Sequence, residues 1–157
     1  MERGYNMRRN DKEITEQQEM DQIMEKAQVC RLAVSYRDMP YIIPMNYGYS
    51  NRVLYFHSAV EGLKLSILRE NPQASFEVDI NSQIVPSERG CNWTMWYQSV
   101  VGFGEVEFIE DLESKREGLK IIMQHYTDEK AVFEDKELAG VTLFKLKINT
   151  MTGKKSG

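Results

Sequence analysis

Residues 29–58 read VCRLAVSYRDMPYIIPMNYGYSNRVLYFHS. Three apolar runs rich in β-branched and aromatic residues are broken by two polar turns, Arg37-Asp38-Met39-Pro40 and Ser50-Asn51-Arg52. Short strands joined by turns this tight pair antiparallel. The pattern predicts a β-meander. Pro44 falls inside the second run. Proline has no N–H to give to a ladder, so this strand lies at an edge or is bulged there.

The pattern changes on either side. Upstream, Thr15 and Gln18 resemble a capping box, and Met20, Ile23, Met24 and Ala27 recur at helical spacing. Residues 1–13 are charged and aperiodic, and read as an arm. Downstream, Gly62 to Arg69 predicts a short helix with Leu63, Ile67 and Leu68 on its apolar side. Asn71-Pro72 ends it. Alternation in ASFEVDI predicts a fourth strand, and residues 82–91 read as a polar loop. Residues 93–109 form a long strand candidate whose Gly102 and Gly104 mark a bulge or a barrel corner. Asp111 suits the N-cap of an amphipathic helix carrying Leu119, Ile122, Met123 and Tyr126. A linker through Glu137 then leads to a sixth strand, residues 141–148, and a flexible tail, 150–157. Six β segments with helices between and around them predict a mainly β fold in one domain: a small antiparallel barrel with peripheral helices.

Composition narrows the function classes. The chain has 157 residues, 41% hydrophobic, with a formal net charge of −4. That is enough apolar content for one core, and the acidic balance argues against a nucleic-acid binder. No apolar run reaches the roughly 18 residues that span a membrane, and the N-terminal segment lacks the apolar stretch of a secretory signal. Cys30 and Cys91 have no CxxC spacing, so neither a zinc knuckle nor a disulfide framework is expected. A reduced, cytoplasmic protein is the simplest expectation.

Three stretches carry candidate chemistry. In YFHSAVEGLK, residues 55–64, His57 and Ser58 offer donors at a strand end. Amides near Gly62 open a helix, and Lys64 adds a charge. A phosphate needs this combination, although a capped helix with an exposed lysine has the same spacing. In PMNYGY, residues 44–49, a proline and a glycine interrupt the ladder. The freed backbone groups suit the donor–acceptor edge of a planar heterocycle such as a flavin, or simply a bulged edge strand. In YQSVVGFG, residues 97–104, Ser99 can bond a ligand and the glycines permit close approach, or else they turn a barrel corner. Trp93 and Trp96 fall on opposite faces of an ideal strand, one for the core and one for a ligand wall or interface. His57 and His125 are the only histidines, and no third ligand completes a metal site with them.

Together, MRRNDKEI (7–14), CRLAVSYRDMPYIIPMNYGY (30–49), LYFHSAVEGLKLSILRENP (54–72) and CNWTMWYQSVVGFGEVEFIED (91–111) resemble the pyridoxamine 5'-phosphate oxidase-like split-barrel flavoproteins, and within them the nitroimidazole-resistance branch. The resemblance implies a six-stranded antiparallel split β-barrel and FMN held between the subunits of a homodimer. It implies that Met45, Asn46 and Tyr47 lie along the flavin, largely through backbone. His57, Ser58, Ala59 and Lys64 would sit at the phosphate end, with Ser99 and Val100 approaching from the other subunit. The oxidases' phosphate-binding Arg is replaced near Ile43 by an apolar residue, and their C-terminal Arg-x-His is missing. These departures speak against pyridoxamine phosphate oxidation. The expected activity is FMN-dependent reduction of small nitro or other oxidised compounds, with His57 as candidate proton donor. The alternatives are a flavin-binding or redox-sensing module without turnover, and a haem-handling relative of the same fold.

Overall fold

A computed structural model describes residues 8–157, so most of the expected arm lies outside the described residues. In chain order the elements are β1 (Glu13–Ile14), α1 (Gln17–Lys26), β2 (Cys30–Tyr36), β3 (Met39–Met45), β4 (Gly48–Ser50), β5 (Val53–Ser58), α2 (Leu63–Glu70), β6 (Gln73–Val85), β7 (Thr94–Ile109), α3 (Leu112–Tyr126), α4 (Asp135–Ala139) and β8 (Thr142–Ser156). All strand pairings are antiparallel, in the order β3-β2-β6-β7-β8-β5-β4, with β1 beside the C-terminal end of β8, beyond β5. The fold is mainly β with peripheral helices, as expected.

Both expected turns form. Tyr36 pairs with Met39 and Ser50 with Val53, so each loop has two residues. Arg37, Asp38, Asn51 and Arg52 all have positive φ, between 48° and 66°. This is the mirror-image turn whose twist matches that of the strands. The meander itself does not form, because the second run splits. Its first part, β3, is one edge of the sheet, where Pro44 needs no second ladder partner. Its last part, β4, is the opposite edge. Only Asn46 and Tyr47 connect them, a reach of about 10 Å at most. The sheet must therefore curl until its two edges meet at this crossover. It is closed there and left unpaired elsewhere, as a split barrel.

The interior holds Phe56, Phe76 and Phe144, all essentially inaccessible, with Leu32, Leu54, Leu146, Val78 and Val100. The Phe56 and Phe144 rings stack at 5.3 Å. Each such side chain contributes roughly 1.5–3 kcal/mol of burial. A second cluster, Ile109, Leu119, Ile122, Leu138 and Leu143, seats α3 and α4 on the outer face of β5 and β8. Asp111 caps α3 as expected, accepting the Ser114 N–H at 2.8 Å.

Several elements differ from expectation. The capping box at Thr15 is absent. Helix α1 begins at Gln17 after Glu16, without a side-chain cap. Leu63 is exposed, and Leu65 fills the core place assigned to it. The polar loop starts late because β6 runs through an irregularity between Ile80 and Gln83 to Val85. The linker contains α4, whose capping box is Glu134 and Glu137. The tail is not flexible: β8 continues to Ser156, paired along β7, after a register shift at Phe103/Gly104. Thr152 to Ser156 have little apolar character, but β7 offers them a full ladder. The order therefore comes from pairing, which hydropathy does not report.

Candidate functional site

The crossover gathers two of the three candidate stretches in one corner. Gly48 pairs with Tyr55, so the same register extended places Asn46 opposite His57. His57 and Ser58 end β5 and pair with Leu143 and Thr142 of β8. Adjacent strand residues point to opposite faces. Accordingly, His57 is exposed on the outer face, while Ser58 is buried on the face of Leu54 and Phe56. Ala59 is exposed just beyond the strand.

Helix α2 then opens at Gly62 with no side-chain cap and no acid in its first turn. Gly62 has φ +149°, a conformation that side chains resist. The first N–H groups of a helix have no intrahelical acceptor, and the helix dipole favours an anion beside them. Lys64 lies half-buried in that first turn. This donor set of a buried hydroxyl, an uncapped helix start and an ammonium fits a phosphate.

The crossover itself is held tightly. Tyr47 is fully buried. Its hydroxyl donates to the Met24 carbonyl at 2.5 Å, with the Ala27 carbonyl at 3.0 Å, and its N–H donates to the Tyr126 hydroxyl at 3.0 Å. The Tyr126 hydroxyl in turn donates to the Gln28 carbonyl at 2.8 Å. Burial pushes the Tyr47 and Tyr126 hydroxyls above the usual phenol range. Tyr47 thus has neither its ring nor its N–H to offer a ligand. Met45 also turns into the core. Asn46 is the exposed member of the three.

The third stretch lies elsewhere. Ser99 pairs with Asp79 and Lys154 and faces outward, half-buried, while the Val100 side chain is in the core. Lys154 is twelve residues along β8 from Thr142, the partner of Ser58, about 40 Å of strand contour. Ser99 is thus not brought to the corner within one chain. Trp93 and Trp96 are both exposed, so neither fills the core place expected for one of them. They lie where β6 and β7 run on past the body of the sheet, beyond the reach of any core. Glu77 and Asp79 face outward, and both bind Arg31, at 3.0 and 2.6 Å.

Sequence reasoning missed His125 and one part played by Tyr126. The His125 Nε2 lies 2.7 Å from the Ala27 carbonyl, which can only accept, so this nitrogen carries the proton. Tyr126 was legible only as an apolar helix position. A residue with a hydroxyl at the end of such a stripe is the signal that was available. Among the described residues no group of three His, Cys, Asp or Glu side chains is placed to hold a metal. Burial pushes the Cys30 thiol up to about 12, leaving it protonated and inert.

The family described as pyridoxamine 5'-phosphate oxidase matches residues 16–155. No curated protein matches the chain. Among solved structures, a protein of Bacteroides thetaiotaomicron provisionally described as a 5-nitroimidazole antibiotic resistance protein is 35% identical, with TM-score 0.83, over 91% of this chain and 86% of that one. A flavocytochrome of Azotobacter vinelandii (TM-score 0.86, 17% identity, 100% and 75% coverage) shares the fold. So does an FAD- and haem-binding protein of Mycobacterium smegmatis (TM-score 0.83, 23% identity, 92% and 73% coverage). With the match spanning nearly all of the described residues and the barrel closing at the crossover, the chain belongs to the pyridoxamine 5'-phosphate oxidase-like split-barrel family.

Proposed function

We propose that the protein binds FMN at the crossover corner as a homodimer and acts as an FMN-dependent reductase of small nitro or other oxidised compounds. The observation that carries this reading is the meeting of the β3–β4 crossover with the uncapped, lysine-bearing start of α2. In this reading Ser58, Lys64 and the first amides of α2 hold the phosphate, with Ala59 beside them. The backbone of Met45 and Asn46, with the Tyr47 carbonyl, faces the ring. Ser99 of a second copy forms the far wall, with Val100 behind it in that copy's core, because one chain cannot bring them there. The flavin, when bound, supplies the electron-transfer chemistry, and the protein's part is to place it and shield it.

His57 is the histidine of this corner with its ring exposed, and it gives a proton to the reduced substrate. His125 is unsuited to that task because its Nε2 proton is engaged by Ala27. The relative at 35% identity supports a nitro compound as substrate. A cytoplasmic setting suits the free thiols of Cys30 and Cys91.

The test is spectroscopic. FMN-loaded protein is reduced in the absence of oxygen and mixed with a nitroimidazole at one third of the flavin concentration, because the amine takes six electrons and each reduced flavin gives two. Return of the oxidised-flavin absorbance, with formation of the amine, is the expected result. A protein that takes up no FMN contradicts the whole reading. One that binds FMN but transfers nothing to nitro compounds is a flavin-binding module instead.

A further inference from the structure

The segment that faces the flavin in the proposed reading has no ladder of its own. Met45 pairs with Cys30 and Gly48 with Tyr55, and the two residues between them have no strand partner. Their position is set from outside the sheet, by two helix ends. From α3 come Tyr126, which accepts the Tyr47 N–H, and His125, whose ring lies 4.4 Å from that of Tyr47. From the end of α1 come three carbonyls, of Met24, Ala27 and Gln28. They accept from Tyr47, from His125 and from Tyr126 respectively. The crossover backbone also touches α3 directly: a Cβ on Gly48 would lie 2.7 Å from the backbone of Ile121 and Ile122.

We propose that His125 and Tyr126 are positioning residues for the flavin: they fix the Met45–Tyr47 backbone through Tyr47, so the seating of α3 sets how well the corner receives the ring. This rests on the flavin reading above. Neither residue is placed in contact with the cofactor. Their effect passes through one N–H, one ring contact and the carbonyls of α1. Buried polar groups leave few ways to relax when one partner is lost, so the crossover shifts when a hydroxyl or imidazole is removed.

FMN is titrated into the wild type, Tyr126→Phe, His125→Ala and His125→Gln, with Val34→Ala as control. Val34 is a core residue at the far end of the β2–β3 hairpin, paired with Tyr41. Tyr126→Phe and His125→Ala are expected to weaken FMN binding by about three- to tenfold, the range for one lost hydrogen bond. They also shift the absorption bands of the bound flavin. His125→Gln, which keeps a donor, recovers most of the affinity. Val34→Ala lowers the melting temperature and leaves affinity and bands unchanged. If Tyr126→Phe and His125→Ala both bind FMN with wild-type affinity and spectrum, the proposal is overturned and the network is a structural brace only. If the wild type itself takes up no FMN, the flavin reading fails and this proposal with it.

Discussion

The crossover corner and the β6–β7 ribbon are built on opposite plans. At the crossover the large side chains are spent internally: Tyr47 is buried and Met45 is in the core. On the ribbon the large side chains are left outside. Ile84, Trp93, Met95, Trp96 and Val101 are all exposed, from 39% to 59% of their surface. Exposed apolar patches of this kind mark interaction surfaces. In the proposed reading the corner is a half-site finished within one chain, and the ribbon is a half-site that needs another chain.

The strongest way to break this contrast is to spoil the ribbon. Val101 lies on the outward face of β7, two residues from Ser99. Val101→Asp would bury an unpaired charge between two copies. It is expected to give a monomer and to weaken FMN binding by about a hundredfold or more. The monomer should stay folded, because within one chain the position is a surface. Sedimentation and FMN titration check this together. A dimer that keeps FMN would remove the ribbon from the account.

The next largest effect is expected in the corner. Lys64→Ala should cost about 1–3 kcal/mol of FMN affinity, as for a lost charge-assisted hydrogen bond. Unchanged affinity in a titration would take the phosphate away from α2. Tyr47→Phe removes the hydroxyl that binds the Met24 carbonyl and leaves that carbonyl buried. A loss of about 1–3 kcal/mol in denaturant unfolding is expected. No loss would mean that the crossover is held by packing alone. The smallest effect belongs to the ribbon tip. Cys91 is exposed there, and Cys91→Ser should leave stability within about 0.5 kcal/mol and FMN binding unaltered. A marked fall in turnover would give the thiol a part in the chemistry.

The same contrast explains what could be read from sequence. Hairpin turns, strand alternation and the Asp111 cap are local, and all were legible. So was Pro44 as an edge residue, since a missing N–H has meaning anywhere. The position of β4 was not. Nothing in YGYS tells that it pairs with β5 at one edge while β3 lies at the other, because that is decided by how far the whole sheet curls. The order of residues 150–156 was hidden for a related reason: it is supplied by β7, fifty residues away. The corner's residue types were visible at His57, Ser58 and Lys64. That His57 and Ser58 face opposite sides follows from the strand period and was available. The Tyr47–Tyr126–Gln28 relay joins three elements distant in sequence and was not.

One measurement bears on the central claim most directly: the mass and flavin content of the protein after saturation with FMN and removal of the excess. The expected result is a dimer that retains one FMN per chain and dissociates to monomer as Val101→Asp, with loss of the flavin. A monomer that holds FMN tightly, or a protein that stays colourless at saturating FMN, would contradict it.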